Sequence, residues 1–335
     1  AADINRFITQ GRPDDGKKPC GAVLLTGASG YLGIHLLNEW VQRGIPVVCL
    51  VRSADALRKA QAYYGIPASL DTVETVTGDV TKAHLGLEPD GYDRLCRQIN
   101  TVVHAAALVS HVGSEEASYR VNVEGTREIL RFCADAGAQL YHISSYAVSG
   151  FRTDNMLTEE ALDIGQEIIQ NPYIQTKYQA EELVLTARGK GVASSIFRVG
   201  NLTARASDGK FQQNAAESGL AAQLRAFGRL GVYPESMAGV RYDATAVDEA
   251  ARAVTLLAEA DGTGHIWHIM NPHVRSIAQL TGAAAVPDAV FASRLAADSG
   301  DRDVAILSLY YRMQQNGFNS RFDMQKTLGE LEKLG

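Results

Sequence analysis

No stretch of this 335-residue chain stays apolar for anything near the ~20 residues that a bilayer-spanning helix needs, so no membrane partner is expected. The opening AADINRFITQGRPDDGKKPC also lacks the apolar segment of a signal peptide. Cysteine is scarce: Cys20, Cys49, Cys96 and Cys133 form no CxxC pair, which excludes a disulfide framework and leaves reduced packing thiols. Basic charge is short as well, with 32 Lys and Arg against 38 Asp and Glu and no basic run. A net charge of -6 excludes a nucleic-acid partner, because neutralising phosphates takes a basic face. His104, His111, His142 and His268 are not at metal-ligand spacing and read as packing or surface residues, so no metal is expected. These absences place the chain, as an expectation, in the cytoplasm.

What is present is a core. With 46% hydrophobic and 21% charged residues the chain reads as a soluble globular protein of one large domain or two interleaved ones. Apolar runs of strand length fall at 22–27, 46–52, 73–78, 101–107, 138–145 and 193–200, and stretches of helical spacing at 31–43, 54–63, 91–99, 114–136 and 171–188. Strands without polar alternation are buried on both faces, which marks a parallel sheet covered by helices. The fold class is therefore α/β, a Rossmann-like doubly wound parallel sheet, with a smaller helix-rich C-terminal substrate lobe. Residues 1–20 form an N-terminal extension and 21–200 the dinucleotide-binding domain. Residues 201–335 are mainly the lobe, with a return to the sheet near 241–270, where HIWHIM (265–270) is strand-like.

Between the first strand and the first helix lies TGASGYLG, with Gly27, Gly30 and Gly33 in the spacing GxxGxxG. A glycine turn that follows a buried strand and opens a helix receives a pyrophosphate on backbone N–H groups. Gly27 would make the turn, Gly30 would let the backbone approach the phosphates, and Gly33 would let helix and strand pack closely. An NAD-specific site carries Asp or Glu about 20 residues further on. This chain carries Arg52, with Arg58 and Lys59 beyond it, and a guanidinium suits a 2′-phosphate. The cofactor is therefore read as NADPH. Asp79, after the third strand, could accept from the adenine amino group.

YIQTK puts Tyr173 and Lys177 at i and i+4 on one helical face. A tyrosine becomes a useful acid when a nearby ammonium favours its charged form. Ser145 ends the fifth strand in HISSYAVSG, where its hydroxyl could share a substrate oxygen with that tyrosine.

The glycine turn, VVHAAALVSH, NVEGT, ISSYAVSG and YIQTK together resemble the extended short-chain dehydrogenase/reductase superfamily over residues 20 to 270. By position, the family's catalytic triad falls on Ser145, Tyr173 and Lys177. Ser144 is rejected, because the family's hydroxyl lies three residues before the Val of the following VxG, here Val148. The turn and the resemblance imply cofactor contacts at Thr26, Gly27, Ser29, Gly30, Tyr31, Leu32, Gly33, Arg52, Arg58, Asp79, Val80, Ala105, Ala106, Ala107, Asn122, Tyr173 and Lys177.

GDVTKAHLGL (78–87), ALVSHVGS (107–114) and above all FRVGNLTARASDGKFQQN (197–214) are similar to the thioester reductase domains that end nonribosomal peptide and polyketide synthetases, and to those of carboxylic acid reductases. The resemblance implies an acyl or peptidyl thioester on the phosphopantetheine arm of a carrier protein, reduced by NADPH to an aldehyde and in some cases on to an alcohol. Asn201, Asp208, Lys210 and Gln212 are the polar candidates for the substrate and arm face. An N-terminus without Met is expected of a domain cut from a longer synthetase, and a monomer is expected of such a domain. Members that cyclise their substrate instead typically lack the tyrosine, so Tyr173 favours reduction. Two alternatives stay open: a sugar-nucleotide epimerase or dehydratase that holds NAD, and a non-catalytic dinucleotide-binding module.

Overall fold

The computed structural model describes residues 21–67, 72–109, 114–150, 156–168, 171–260, 262–315 and 321–335. The 1–20 extension with Cys20, His111 and part of the 107–114 motif lie outside the described residues. Seven parallel strands form the central sheet: β1 (Ala22–Thr26), β2 (Val47–Val51), β3 (Val73–Thr77), β4 (Ile99–His104), β5 (Gln139–Ser145), β6 (Ser194–Val199) and β7 (Ile266–Ile269). Their order is β7-β6-β5-β4-β1-β2-β3, so the winding reverses between β1 and β4. That reversal opens a crevice at the carboxyl ends of the strands, where doubly wound sheets bind ligands.

The connections are helical: α1 (Tyr31–Gln42), α2 (Ala54–Tyr64), α3 (Pro89–Gln98), α4 (Glu115–Tyr119), α5 (Gly125–Ala136) and α6 (Pro172–Arg188). The helix expected over 114–136 is thus two, joined by a π-helical turn at Arg120–Glu124. Such a turn inserts an extra residue and redirects side chains, frequently at functional sites. Here it carries Asn122, which is 2% exposed.

After β6 the chain enters the lobe, forms α7 (Gly219–Leu230), and returns to the sheet through α8 (Val247–Ala260) and β7. It leaves again for α9 (Asp288–Ala297) and α10 (Arg302–Gln315) and comes back with α11 (Gln325–Leu334). This second return was not legible in the sequence: Leu331 and Leu334 pack on the sheet's core instead of on the lobe. The lobe has a core of its own, built around Phe227, Phe291, Val304, Leu307 and Tyr311.

Two layers sandwich the sheet. Val23 and Leu25 of β1 face Ile34, Leu37 and Trp40 of α1 and Val254 of α8. Leu24, between them, faces the layer of Leu95, Ile129, Phe132 and Val184 on α3, α5 and α6. Every residue of β1, β2, β6 and β7 is buried, as expected of strands covered on both sides. Of the two edge strands only β7 is fully buried; β3, at the other edge, leaves Thr75 and Thr77 exposed. Cys49 and Cys133 are buried thiols in these layers, and burial pushes Cys49 up to about 12.

Candidate active site

Gly27 has φ +72°, and a Cβ there would stand 2.6 Å from the Ala106 nitrogen and 2.7 Å from the Ala105 carbonyl carbon. It therefore both turns the chain and admits the loop that follows β4. A Cβ on Gly33 would stand 2.0 Å from the Gly27 carbonyl oxygen, so α1 can seat on the turn only with glycine there. Gly30 is the N-cap of α1, with no side chain capping the helix. The first N–H groups of α1, including those of Tyr31 and Leu32, are left for an external acceptor, and Ser29 and Gly30 are exposed beside them. The Tyr31 hydroxyl itself is tied to the Thr203 carbonyl at 2.6 Å, so only its backbone faces that end.

Burial raises the Asp79 carboxyl beyond β3, bonds from the Thr81 N–H and hydroxyl bring it below its ordinary value, and Arg52, exposed just beyond β2, adds to the lowering. Asp79 Oδ1 accepts those two bonds at 2.9 and 2.8 Å. Val80 packs against Gly125, where a Cβ would come within 3.1 Å of its methyl. Arg58 is exposed and pairs loosely with Asp55 at 3.6 Å.

Two of the expected cofactor contacts are engaged inside the protein. The Thr26 hydroxyl meets His104 Nδ1 at 2.8 Å and accepts from the Ala106 N–H at 3.2 Å. Asn122 accepts from the Leu108 N–H at 2.7 Å, and its amide donates to the Leu108 carbonyl at 3.1 Å and the Thr176 hydroxyl at 2.9 Å. With those bonds both side chains hold the 105–108 loop in place, Ala105 to Ala107 included.

Asn171 starts α6 by accepting from the Tyr173 and Ile174 N–H groups at 3.0 and 3.2 Å, and Pro172 supplies a pre-set first residue. This cap places Tyr173 opposite the end of β5. Burial raises the Tyr173 hydroxyl above the usual phenol range, and a hydrogen bond with Ser145 opposes that rise. Ser145 also accepts from the Ala147 N–H at 3.2 Å. Ser144, its neighbour, donates to Glu181 at 2.6 Å on the buried side, so the two serines serve different partners. Lys177 is 4% exposed and donates to the Ile143 carbonyl at 2.6 Å. Burial brings its ammonium down to about 8, with the Glu181 charge opposing. Burial is thus the larger effect on the Tyr173 phenol, and Ser145 opposes it.

The polar candidates of the 201–214 stretch separate. Asn201 lies by the triad: it accepts from the hydroxyl of Tyr146, next to Ser145, at 3.2 Å and donates to both carboxylate oxygens of Asp243 at 2.7 and 2.6 Å. Asp208, Lys210 and Gln212 are engaged elsewhere. Asp208 pairs with Arg205 (Nε to Oδ1 2.9 Å), the Lys210 ammonium donates to the Tyr63 carbonyl, and Gln212 donates to the Asn214 carbonyl at 3.0 Å. Phe211 meets the Tyr31 ring at 5.7 Å and Arg205 donates to the Tyr64 carbonyl at 3.1 Å, so this stretch fastens onto α1 and α2. Of the three candidates, only Lys210 joins the stretch to α2; the bonds of Asp208 and Gln212 are local to it.

Sequence reasoning missed Tyr310 of α10, which is near enough for a charge on Tyr173 to raise its phenol further beyond what burial does. The lobe thus reaches the triad. Nothing in the local pattern of α10 signals this. Glu181, at i+4 from Lys177, was legible by spacing alone.

A parallel doubly wound sheet with a glycine turn at its crevice defines a nicotinamide-dinucleotide-binding protein of Rossmann type. The chain belongs to the NAD-binding family described as Male sterility protein, whose model matches residues 25–254. It is 31% identical over 271 residues to the glycine betaine reductase ATRR of Emericella nidulans, a match that takes in 75% of this chain and 21% of that protein's length. The terminal R domain from the myxalamid PKS-NRPS biosynthetic pathway superposes with a TM-score of 0.85 at 26% identity, over 100% of this chain and 92% of that one. A thiolation-reductase di-domain from an archaeal non-ribosomal peptide synthetase superposes with a TM-score of 0.78 at 26% identity, over 99% and 76%. No described helix is long and apolar enough to cross a membrane.

Proposed function

We propose that the chain reduces an acyl or peptidyl thioester, carried on the phosphopantetheine arm of a carrier protein, to an aldehyde, with NADPH as the reductant. The observation that carries this reading is the hydrogen-bonded Ser145 and Tyr173 pair, with buried Lys177 one turn along α6, at the carboxyl edge of a sheet whose crevice holds the glycine turn. The likeness to terminal reductase domains, which extends over the lobe as well as the sheet, supports it over a sugar-nucleotide epimerase. All these groups come from one chain, so a monomer suffices.

A dinucleotide fits the residues present. A Cβ at Gly27 or Gly33 would fill the cradle, the N–H groups that open α1 have no side-chain cap, and Arg52 stands exposed beyond β2. Gly27 to Gly33 would hold the pyrophosphate, Arg52 and Arg58 the 2′-phosphate, Asp79 and Val80 the adenine, and Lys177 the nicotinamide ribose. When bound there, NADPH supplies a hydride.

Ser145 and Tyr173 orient the thioester by donating hydrogen bonds to its carbonyl oxygen, where negative charge develops. Tyr173, neutral at pH 7, then gives that oxygen its proton. The resulting hemithioacetal collapses, expelling the carrier thiol and leaving the aldehyde. Lys177 remains charged at pH 7 and returns a proton toward the phenolate. The lobe, through Asn201 and Tyr310, shields the reacting carbonyl from water.

The test follows NADPH absorbance with an acyl-phosphopantetheine thioester while the aldehyde is trapped. NADPH consumption with stoichiometric aldehyde is expected. A wild-type protein that binds NADPH yet spends none on a carrier-loaded thioester would sink the reading.

Arg52→Asp checks the choice of cofactor. NADPH affinity should fall roughly 10- to 100-fold through loss of a charge-assisted bond and gain of repulsion, with NADH affinity changed less than about threefold. Equal losses in a titration of both would remove the case for the phosphorylated cofactor.

A further inference from the structure

His142 is a central residue of β5 and the register partner of His104 on β4. Both imidazoles are 1% exposed, with ring centroids 5.6 Å apart. His104 is satisfied: Nδ1 meets the Thr26 hydroxyl at 2.8 Å and Nε2 the Thr126 hydroxyl at 3.3 Å. His142 is not: neither ring nitrogen has a hydrogen-bond partner among the described residues. A neutral imidazole buried in a sheet without partners is destabilising relative to an apolar residue of similar shape, so its presence calls for an explanation.

The adjacent residue indicates one. Ile143, next in β5, accepts the one hydrogen bond that the Lys177 ammonium makes among the described residues. An ammonium has three protons to place. One goes to Ile143 and one would go to the nicotinamide ribose, on the reading proposed above. We propose that His142 is a positioning residue for Lys177, its acceptor nitrogen taking the third ammonium proton through a bridging water.

The other groups facing Lys177 fit this assignment. Tyr173 and Glu181 share its helix, Ser145 and His142 come from β5, His104 from β4, and Arg198 of β6 is occupied by Glu181. Burial first, then the Lys177 and His104 charges, hold His142 well below the usual imidazole range, so it stays a neutral acceptor across the working pH. His142 therefore supports the lysine's charge without titrating itself. Removing the acceptor leaves the ammonium less solvated, which lowers the pH at which it loses its proton.

The test compares wild type with His142→Leu and His142→Gln. NMR titration of protein labelled at the lysine ε-carbons, with Lys177 assigned by its disappearance in Lys177→Arg, reads the lysine without any turnover. Lys177 should titrate near 8 in wild type. It should titrate about one pH unit lower in His142→Leu, and His142→Gln, which restores an acceptor, should recover at least half of that. In the reductase assay the alkaline limb of kcat/KM should move with it, giving about tenfold lower kcat/KM for His142→Leu at pH 9 and less than about twofold at pH 6.5. If Lys177 titrates alike in wild type and His142→Leu, while the urea midpoint rises, His142 is a packing residue and the proposal is wrong. Should His142→Leu fail to fold, His142→Gln and His142→Phe give the same contrast between an acceptor and none. Absence of thioester reduction in wild type, with the lysine shift intact, would overturn the proposed function and leave this assignment standing.

Discussion

Tyr173→Phe should lose about 10³-fold in kcat while binding NADPH within about twofold of wild type. On the proposed reading the phenol combines two tasks, a hydrogen bond to the carbonyl oxygen and a proton for it. Burial keeps that proton on at pH 7, and the Ser145 bond eases its release by stabilising the phenolate. Phenylalanine removes both tasks and leaves Ser145 as the remaining hydroxyl donor. The substitution conserves volume and leaves untouched the β1–α1 turn and the loop after β4, which would hold the pyrophosphate on the proposed reading. Binding should survive, and the loss should fall on the chemical step. Single-turnover decay of NADPH absorbance alongside equilibrium titration separates the two, and a variant with wild-type turnover would remove Tyr173 from the chemistry.

The parts of the fold that were legible are those whose signal is local. Strands buried on both faces declare themselves as apolar runs; the six expected runs, the half-exposed β3 among them, fell within a few residues of the observed bounds, with HIWHIM taking its place as β7. Asn171 and Pro172 mark the start of α6 by capping chemistry alone. What was not legible depends on partners distant in sequence. Asp208, Lys210 and Gln212 read as cleft residues because they cluster beside Asn201, yet contacts to Tyr63 and Tyr64 draw that stretch onto α2. Two- and three-residue strand pairs, such as Leu202–Thr203 with Thr245–Ala246, carry no periodicity that a short window could detect. The π-turn at Asn122 reads as uninterrupted helix, since its cause is the fit of that side chain to Leu108 and Thr176. His142 read as a packing histidine because a sequence does not show which buried nitrogens go unpartnered.

Glu181→Ala should cost about 3–5 kcal/mol of unfolding free energy, because it leaves the Arg198 guanidinium buried without its carboxylate. Both side chains are fully buried, with Arg198 Nε 2.9 Å and Nη2 2.5 Å from Glu181 Oε1. Arg198 also donates to the Thr158 and Ala161 carbonyls, each at 2.8 Å, and to His268 Nε2 at 3.2 Å. His268 in turn meets the Asp323 carbonyl at 2.6 Å through Nδ1, which makes it the neutral acceptor of the arginine. Ser144 closes the other end on Glu181 Oε2. The pair thus joins β5, α6, β6 and β7 to the segment that leads into α11, directly behind the triad. Replacing both partners by apolar residues often restores stability at a buried pair. Here Glu181→Leu with Arg198→Met should recover only part of the loss, since the Thr158 and Ala161 carbonyls and His268 would remain without a donor. The Glu181 charge also raises Lys177 against the larger effect of burial, so its removal should move the alkaline limb of kcat/KM to lower pH. Urea unfolding and a pH–rate profile on the same variant check the two effects together. A stability loss under about 1 kcal/mol would mean that the guanidinium finds another acceptor and that this pair does not frame the site.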